Sequence, residues 1–541
     1  MLLGQMMHEP LLISSQIEFA ARFHGSAEVV TRTVECTIHR CTWRDIARRA
    51  RKLANALVKM GIKPGDRIAT LAWNTHRHLE MYFAVSGIGA VLHTINPRLP
   101  LDQLRYVVDH AEDVVLLFDT TFLRLAQFLA QQASPLQHYI AFTDAAHLPA
   151  DAAIPELHDY ETLIAAEPET FEWPVLDEHT ASSLCYTSAT AGFPKGVLYS
   201  HRSTVIHSYA IMSADALAIN SHDVILPVVP MFHVNAWGVP YAAAMTGAKL
   251  VLPGPCLDPV NLIELIDGEH ATCLMGVPTV WMALLAHTRA QGKTLDSVRK
   301  VTIGGSACPP PMIEEWEKVH GARVIHAWGM TEMSPVGTTG VLLPQHDRLD
   351  DAARFAVKCK QGRPIYGVDL RIVDEDGNCI EHDGKTSGHL QVRGVWVASS
   401  YFKRERDEAH HDGWFDTGDI ANIDPDGYVQ ITDRSKDVIK SGGEWISSID
   451  LENAAMCHPC VQHAAAIGVA HPKWQERPLL ICVKAPGKDV EREELRKFLE
   501  TKLVKWWLPD AIEFMDALPL GATGKVLKRE LRQRYADYKL A

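Results

Sequence analysis

The chain has 541 residues, 47% hydrophobic and 22% charged, a composition typical of a globular protein with more than one domain. Its formal net charge of −13 argues against a nucleic-acid-binding surface, because neutralising phosphates requires clustered Lys and Arg. We expect a cytoplasmic protein with reduced thiols and no membrane span, since the eleven cysteines are scattered and neither a signal peptide nor a long apolar run is evident.

The first 300 or so residues alternate predicted helices and strands. Thr42 and Asp45 form a capping box before a helix whose apolar residues recur every three or four positions until Gly61. IATLAW, residues 68–73, is predicted as a buried strand, and HLEMYFAVSGIGAVL, residues 78–92, as an apolar helix. This alternation predicts a large α/β architecture.

The pattern changes from about residue 385, where the predicted strands are shorter and turns are more frequent, as in GHLQVRG and DPDGYVQITD. The stretch DRSKDVIKSGGEW, residues 433–445, combines many charges with two glycines. We therefore expect a domain boundary there, with residues 433–440 as a hinge between residues 1–432 and 441–541. A surface hairpin is the alternative.

The stretch YTSATAGFPKG, residues 186–196, follows the predicted strand SSLCY and has the character of a phosphate-binding loop. Loops of this kind offer hydroxyl and backbone N–H groups to phosphate oxygens. It is not a Walker A loop, because Gly rather than Ser or Thr follows its lysine. A surface turn is the alternative. The candidate phosphate-contacting residues are Thr187, Ser188, Thr190, Gly192 and Lys195.

Three later segments each carry one candidate site residue. Glu332 lies in HAWGMTEMSP, Asp419 in DGWFDTGDI, and Lys525 in GATGKVLKREL. Facing phosphates, Glu332 would suit Mg²⁺, which prefers oxygen ligands. Asp419, at the end of a predicted turn, would accept hydrogen bonds from ribose hydroxyls. Taken singly, each has an ordinary alternative: a solvated carboxylate, a turn-capping aspartate and a surface lysine.

In chain order, YTSATAGFPKG, VVPMFHVNAWG, GGSACPP, HAWGMTE, DGWFDTGD, DRSKDVIKSGGEW and ATGK resemble the adenylate-forming superfamily of acyl-CoA synthetases, firefly luciferases and peptide-synthetase adenylation domains. The resemblance covers nearly the whole chain. Within the superfamily, VVPMFHVNAWG, IKSGGEWISS and the opening GQMM…LLISS are most similar to bacterial medium-chain fatty-acid CoA ligases and 3-methylmercaptopropionate CoA ligases.

The resemblance implies an α/β fold: a large N-terminal domain of stacked α/β layers plus a small barrel-like sheet, then a smaller mobile α+β C-terminal domain. It implies a homodimer, a small carboxylic acid as substrate, and ATP, Mg²⁺ and coenzyme A. The carboxylate attacks the ATP α-phosphate to give an acyl-AMP, and the CoA thiol then displaces AMP. Because two anions meet in the first step, the site needs cations and N–H donors.

The resemblance also implies roles for individual residues. Lys525 would serve adenylation, and Thr187 and Glu332 would hold Mg²⁺ or its phosphates. Rotation of the C-terminal domain about Lys436 would then withdraw Lys525 from the site and bring in Lys440 and a pantetheine tunnel. The nucleotide would contact Gly305, Ser306, Ala307, His326, Ala327, Trp328, Gly329, Met330, Thr331, Asp419 and Arg434. The tunnel would be lined by Ser441, Gly442, Gly443 and Trp445, and the acyl pocket by His233, Trp237, Gly238, Val277 and Pro278.

His233 would close the acyl pocket when it is empty; a satisfied core histidine is the alternative. Trp237 and Trp328 are large enough to shorten the pocket, which favours short or medium acyl groups. A luciferase is chemically compatible with the motifs. A peptide-synthetase domain would place an aspartate in the VNAWG region, where this sequence has Asn235.

A degenerate, non-catalytic nucleotide- or acyl-binding protein is the alternative from another class. Ala189 and Ala191 stand where the family prefers Gly and Thr. In a left-handed conformation Ala189 would cost roughly 1–2 kcal/mol, and a missing hydroxyl donor at 191 would lower the rate on the order of 10²–10³-fold. Because the charged motif residues are all present, we expect an active but slower enzyme.

Overall fold

The computed structural model describes residues 1–132, 134–150, 152–187, 193–404, 409–441, 444–521 and 525–540. Its α-helices are α1 (Ile13–Phe23), α2 (Trp43–Lys59), α3 (His76–Gly87), α4 (Leu101–Ala111), α5 (Leu123–Ala130), α6 (Tyr160–Ala165), α7 (His201–Met212), α8 (Val239–Thr246), α9 (Pro259–Glu269), α10 (Pro278–Gln291), α11 (Pro310–Lys318), α12 (Asp351–Cys359), α13 (Ser448–Met456), α14 (Arg492–Glu500) and α15 (Lys528–Arg534).

The strands fall into four sheets. They are β1 (Glu28–Arg32), β2 (Ile38–Thr42), β3 (Arg67–Leu71), β4 (Val91–Thr94), β5 (Asp113–Phe118), β6 (His138–Ala141), β7 (Leu157–Asp159), β8 (Ala181–Tyr186), β9 (Gly196–Ser200), β10 (Val224–Pro227), β11 (Lys249–Leu252), β12 (Cys273–Gly276), β13 (Lys300–Ile303), β14 (Arg323–Gly329), β15 (Val336–Thr339), β16 (Arg363–Pro364), β17 (Val368–Val373), β18 (Gly388–Gly394), β19 (His410–His411), β20 (Trp414–Ile423), β21 (Val429–Arg434), β22 (Ile439–Ser441), β23 (Glu444–Ile446), β24 (Val461–His471), β25 (Gln475–Lys484) and β26 (Ala511–Phe514).

Two sheets form the body of the N-terminal domain. One has the strand order β7-β6-β5-β3-β4-β8-β9, and the other β16-β15-β14-β13-β12-β10-β11-β1-β2. Most neighbouring pairs in both are parallel, including β3 with β4 and β12 with β13. Helix α3 contacts β4 and β8 of the first sheet and β1 of the second, and all twelve of its residues are buried. The main core therefore lies between the two sheets.

A smaller antiparallel sheet, β17 to β21, completes the N-terminal domain, and the C-terminal domain is built on β22 to β26. In the C-terminal sheet β24 and β25 pair antiparallel over Val461–His471, while β26 joins β25 in parallel. The buried clusters of this domain contain residues from Ile439 onward only. The predicted fold class is confirmed, with a separate apolar core in the smaller domain. No helix in the described ranges could span a membrane.

Two local predictions have different outcomes. The capping box is confirmed: Asp45 N donates to Thr42 Oγ1 at 3.3 Å and Thr42 N donates to Asp45 Oδ2 at 3.0 Å. The apolar helix predicted over residues 78–92 is wrong at its end, because α3 stops at Gly87 and β4 begins at Val91. Gly89 has φ +82°, a left-handed conformation that turns the chain out of the helix.

The charged stretch 433–445 contains more regular structure than a hinge alone requires. It holds the end of β21, all of β22 and the start of β23, and Lys440 of β22 lies opposite Trp445 of β23 in an antiparallel pair. Residues 435–438 connect the sheet of β17 to β21 with the C-terminal sheet. A hairpin thus forms within this stretch, and the rotation about Lys436 stays a prediction.

Candidate active site

Lys525 lies where the two domains meet, in electrostatic contact with Glu332, Asp419 and Arg434 of the N-terminal domain. It ends a short hairpin in which Gly521 N donates to Lys525 O at 2.7 Å. The residue remains exposed at the surface. Surrounding protein nevertheless lowers its pKa to about 8, mainly by desolvation, and the positive charge of Arg434 adds to this effect. Lys525 is therefore a cation at neutral pH that loses its proton readily.

Glu332 lies in a 3₁₀ turn, Thr331–Met333, directly after β14, and is only 5% exposed. Tyr401 donates its hydroxyl proton to Glu332 Oε1 at 2.6 Å. Lys195 Nζ lies 4.4 Å from the centre of the Tyr401 ring. Burial raises the pKa of Glu332, whereas Tyr401 and the nearby cations oppose that shift. The sequence contains no motif that points to Tyr401, which was not predicted.

Asp419 lies within strand β20 and is 2% exposed. Its expected position at the end of a turn is therefore wrong: it faces Arg434 across the β20–β21 pair. Arg434 Nε lies 2.7 Å from Asp419 Oδ1, and Trp328 Nε1 donates to Asp419 Oδ2 at 3.0 Å. These contacts fix the carboxylate in one orientation and leave lone pairs on each oxygen for a ligand.

The residues predicted to contact the nucleotide, here called the nucleotide wall, lie after β13 and at the end of β14. Gly305, Ser306 and Ala307 form part of an accessible loop before α11, and Gly305 has φ +82°. Behind this loop His326 is 1% exposed. Its Nδ1 lies 3.2 Å from Cys359 O, and its Nε2 accepts from Cys308 N at 3.3 Å. Because both ring nitrogens are engaged, the His326 side chain supports the loop and is not available to a nucleotide.

The other residues predicted to contact the nucleotide, at the end of β14 and just after it, are held in place by contacts of their backbone. A Cβ at Gly329 would lie 1.9 Å from Pro335 O, so only glycine fits there. Met330 N donates to Pro335 O at 3.1 Å, and Tyr199 donates its hydroxyl proton to Thr331 O at 2.6 Å. Ala327 is buried, with 7% of its surface exposed. These residues shape the wall through the backbone.

The predicted acyl side contains a turn of five consecutive left-handed residues, Val234–Gly238, with φ between +41° and +77°. The buried Asn235 side chain anchors the turn: its Nδ2 donates to Ser183 Oγ at 2.7 Å, and its Oδ1 accepts from Cys185 Sγ at 3.1 Å. The ring of Trp237 consequently lies 3.2 Å from the position of a Cβ at Gly304. The sequence does not indicate this turn, because four of its residues are non-glycine residues, which rarely adopt the left-handed conformation.

Val277 follows β12 and Pro278 begins α10, close to this turn. A Cβ at Gly305 would lie 3.1 Å from Val277 Cγ1, and Pro278 is the first residue of α10. The position of Trp237 beside Gly304 and of Val277 beside Gly305 brings the predicted acyl pocket next to the nucleotide wall.

His233 and Thr187 share a small cavity between the phosphate loop and the acyl side. Desolvation lowers the pKa of His233 to about 4, with Lys525 adding to the effect, so the imidazole is neutral at pH 7. Thr187 closes the described ends of the loop: its N donates to Lys195 O at 2.9 Å and its Oγ1 accepts from Lys195 N at 3.2 Å. The cavity is lined by His93, Thr94, Ile95, Asn96, Leu99, Val107, Tyr186, Thr187 and His233.

Several predicted site residues lie outside the described residues. They are Ser188, Thr190 and Gly192 of the phosphate loop, together with Ala189 and Ala191, and Gly442 and Gly443 of the predicted tunnel.

Lys440, Ser441 and Trp445 belong to the β22–β23 pair. In the described part of the chain their hydrogen bonds and ring contacts are with residues other than Glu332, Asp419, Arg434 and Lys525. Lys440 N donates to Glu476 Oε2 at 3.0 Å and Ser441 Oγ accepts from Arg477 at 3.2 Å. The Trp445 ring contacts the His389 ring edge-on at 6.0 Å.

The donor set fits a magnesium ion that is held mainly by substrate. The described residues include no group of three or more His, Cys, Asp or Glu side chains arranged around one point. Mg²⁺ does not require one, because it commonly binds through one or two carboxylates, several waters and substrate phosphates. The Glu332 carboxylate and the Thr187 hydroxyl are oxygen donors of that kind.

Comparison with known proteins gives one consistent result. A family model described as AMP-binding enzyme matches residues 18–402, and its C-terminal domain model matches residues 450–525. The chain is 54% identical over 536 residues to a 3-methylmercaptopropionyl-CoA ligase of Ruegeria lacuscaerulensis, covering 99% of each chain. It is 50% identical over 538 residues to a medium-chain-fatty-acid–CoA ligase of Ectopseudomonas oleovorans, covering 99% of this chain and 98% of that one.

Solved structures share the fold at lower identity. An anthranilate CoA ligase in complex with anthranoyl-AMP superposes with a TM-score of 0.85 at 23% identity, covering 97% of this chain and 98% of that one. A benzoate CoA ligase from Burkholderia xenovorans superposes with a TM-score of 0.82 at 20% identity, covering 96% of this chain and 99% of that one.

Proposed function

The chain belongs to the AMP-binding enzyme family, and from this premise we propose that it is an AMP-forming acid–thiol ligase that joins a carboxylic acid to coenzyme A through an acyl-adenylate. The observation that carries the proposal is the electrostatic interaction of Lys525 with Glu332, Asp419 and Arg434 at the domain junction. In this cluster the mobile cation, Lys525, lies near two carboxylates. Glu332 is suited to bind a metal ion, and Asp419 is suited to bind ribose hydroxyls.

In the first half-reaction a carboxylate oxygen bonds to the α-phosphorus of ATP and the bond to pyrophosphate breaks. Lys525 compensates the charge that gathers between the carboxylate and the α-phosphate, which is the largest electrostatic demand of this step. Lys195 and the N–H groups of the phosphate loop hold the leaving pyrophosphate. Glu332 and Thr187 would hold Mg²⁺, which would neutralise phosphate charge.

The nucleotide lies along the wall formed by Gly305 to Ala307 and by the 327–331 backbone. Asp419, fixed by Trp328 and Arg434, accepts hydrogen bonds from the ribose hydroxyls. The neutral imidazole of His233 stands between the phosphate loop and the acyl pocket and presents no charge to an apolar acyl chain.

In the second half-reaction the thiol sulfur of coenzyme A bonds to the acyl carbon and AMP leaves with the bonding electrons. Rotation about Lys436 withdraws Lys525 and brings in Lys440 and the segment Ser441–Trp445, including Gly442 and Gly443. Lys436 is exposed and tolerates the movement, because it can be solvated in either arrangement.

The substrate is a short or medium-chain acid. The relatives named above act on 3-methylmercaptopropionate and on medium-chain fatty acids. Trp237, Val277 and Pro278 bound the acyl pocket, and the buried Trp237 limits its depth. We further propose that the enzyme is a cytoplasmic homodimer.

The test is pyrophosphate release with straight-chain acids of three to twelve carbons and with 3-methylmercaptopropionate, each with and without coenzyme A. We expect release with at least one acid and formation of the thioester when CoA is present. The same panel with the Ala189→Gly, Ala191→Thr double variant measures what the two alanines cost. Absence of turnover with every acid in both proteins would refute the ligase and leave the degenerate binding protein.

A further inference from the structure

A buried group of charged side chains lies immediately behind the lysine that serves adenylation. Lys528 begins helix α15, three residues after Lys525, and its side chain is only 12% exposed. Its Nζ lies 2.7 Å from Glu452 Oε1 and donates to Ser448 Oγ at 2.5 Å. A lysine is rarely buried unless it is paired, so these two partners fix the position of the ammonium group.

Ser448 continues the chain of hydrogen bonds into the N-terminal domain. Its hydroxyl donates to Asp433 Oδ1 at 3.0 Å, and its backbone N donates to Asp433 Oδ2 at 2.7 Å. Both residues are buried, with exposed fractions of 0% and 1%. Asp433 lies in β21, opposite Ile420 of β20, whereas Ser448 is the first residue of α13. The path from Lys528 through Ser448 to Asp433 therefore crosses between the domains.

Lys436, the proposed pivot of the domain rotation, lies between Asp433 and Ser448 in the sequence. A rotation about Lys436 would separate the Asp433 carboxylate from Ser448, so the path is complete only in an arrangement like the present one. In this arrangement Lys525 interacts electrostatically with Glu332 and Asp419. Burial opposes the charge of Lys528, but Glu452 and Asp433 outweigh it and raise its pKa, so the ammonium persists.

We propose that Lys528 is a positioning residue for adenylation, which holds Lys525 at the phosphate site by tying α15 to Asp433 through Ser448. The inference rests on the proposed function of Lys525. On the other side, the bond from Gly521 N to Lys525 O and the bond from Leu527 N to Pro519 O restrain the hairpin. Lys528 supplies the restraint that links this hairpin to the orientation of the domains.

The test separates the two half-reactions in Lys528→Met, Lys528→Arg and Arg529→Met. Adenylation is measured as acid-dependent exchange of labelled pyrophosphate into ATP, and thioester formation from supplied acyl-AMP and CoA. We expect Lys528→Met to slow the exchange on the order of 10²-fold, since a displacement of about 1 Å has that effect, and to leave thioester formation within about twofold. Lys528→Arg should recover most of the exchange. Arg529 is the matched control, because it is the exposed next residue on α15.

Ser448→Ala keeps the test decisive if Lys528→Met does not fold, because it removes the hydroxyl that joins Lys528 to Asp433 while retaining the Lys528–Glu452 pair and the bond from Ser448 N to Asp433. We expect it to slow exchange about tenfold with thioester formation unchanged. Equal losses in both half-reactions of Lys528→Met and Ser448→Ala, or exchange at the wild-type rate in whichever of these two variants folds, would overturn the positioning role. Failure of the wild-type protein to exchange pyrophosphate with any acid would instead overturn the proposed function.

Discussion

Lys525 combines accessibility with a lowered pKa, and this makes its charge sensitive to pH in the neutral range. Its pKa is about 8, so the ammonium form predominates below that pH and is lost as the pH rises through it. We expect kcat/KM for ATP in the pyrophosphate exchange to fall above about pH 8, since kcat/KM reports the ionisation of the free enzyme. A profile that stays flat from pH 7 to pH 10 would contradict the assignment.

Two variants serve as controls for this profile. Lys525→Arg should keep its charge and move the fall to a higher pH, although its exchange rate will be lower because the guanidinium has a different shape. Lys525→Ala should lose exchange but still convert supplied acyl-AMP and CoA. Equal loss of both half-reactions in Lys525→Ala would show that the lysine does more than serve adenylation.

Glu332 offers a carboxylate oxygen that the hydrogen bond from Tyr401 holds in place. Replacing it with Gln keeps an acceptor for Tyr401 but removes the negative charge that attracts Mg²⁺. We expect Glu332→Gln to raise the Mg²⁺ concentration for half-maximal exchange at least about tenfold. Tyr401→Phe retains the carboxylate and should cause a smaller increase. An unchanged magnesium requirement in Glu332→Gln would remove Glu332 from the metal site.

The sequence was sufficient to place Glu332, Asp419 and Lys525 in motifs, but not to show how each side chain is held. Asp419 depends on Trp328, which lies 91 positions away, and Glu332 on Tyr401, 69 positions away. Contacts at such separations are created by folding and leave no local pattern. For the same reason His326, in a predicted nucleotide-binding strand, could not be recognised as a support for the loop.

At the level of elements, the turn Val234–Gly238 shows how backbone conformation sets the acyl pocket. Gly238 has φ +77°, and a Cβ there would lie 2.7 Å from His207 Nδ1. We expect Gly238→Ala to destabilise the N-terminal domain by roughly 2–4 kcal/mol, from left-handed strain and overpacking together. Urea unfolding followed by tryptophan fluorescence measures the change.

Gly268 provides the control for this prediction. It lies in helix α9, is exposed, and has no neighbour within 4 Å of the position of a Cβ. Gly268→Ala should therefore be stabilising by about 0.5–1 kcal/mol. A Gly238→Ala variant as stable as Gly268→Ala would show that the turn relaxes without strain.

Helices with explicit end signals were predicted well, and apolar segments without them were not. Helix α2 has its capping box at Thr42 and its glycine stop at Gly61, so its bounds follow from the sequence. Helix α3 and strand β4 are both fully buried, and polar residues such as Glu80 and His93 are buried in them along with the apolar ones. Where burial is complete, the apolar period that separates helix from strand disappears.

At the level of the whole molecule, the separation of the apolar cores predicts that the N-terminal domain folds alone. The buried cores of the C-terminal domain contain only residues from Ile439 onward. Among the described residues, the interactions that join the domains include the hydrogen bonds between Asp433 and Ser448 and the ring contact of His389 with Trp445, and the partly buried Ile449 packs against the N-terminal core. Interfaces within a chain that include polar contacts of this kind permit relative domain motion.

A chain that ends at Lys436 tests this division, because it keeps Asp419 paired with Arg434 and removes Lys525. We expect a single cooperative thermal transition that rises on addition of ATP and Mg²⁺, since a ligand at 100 times its Kd stabilises by about 2.7 kcal/mol. Pyrophosphate release should be absent. Full-length Lys525→Ala is the control, with the same ligand-induced rise and the same loss of release. A truncated chain without a cooperative transition would show that the N-terminal domain requires the C-terminal domain to fold, and the boundary would then not separate independent units.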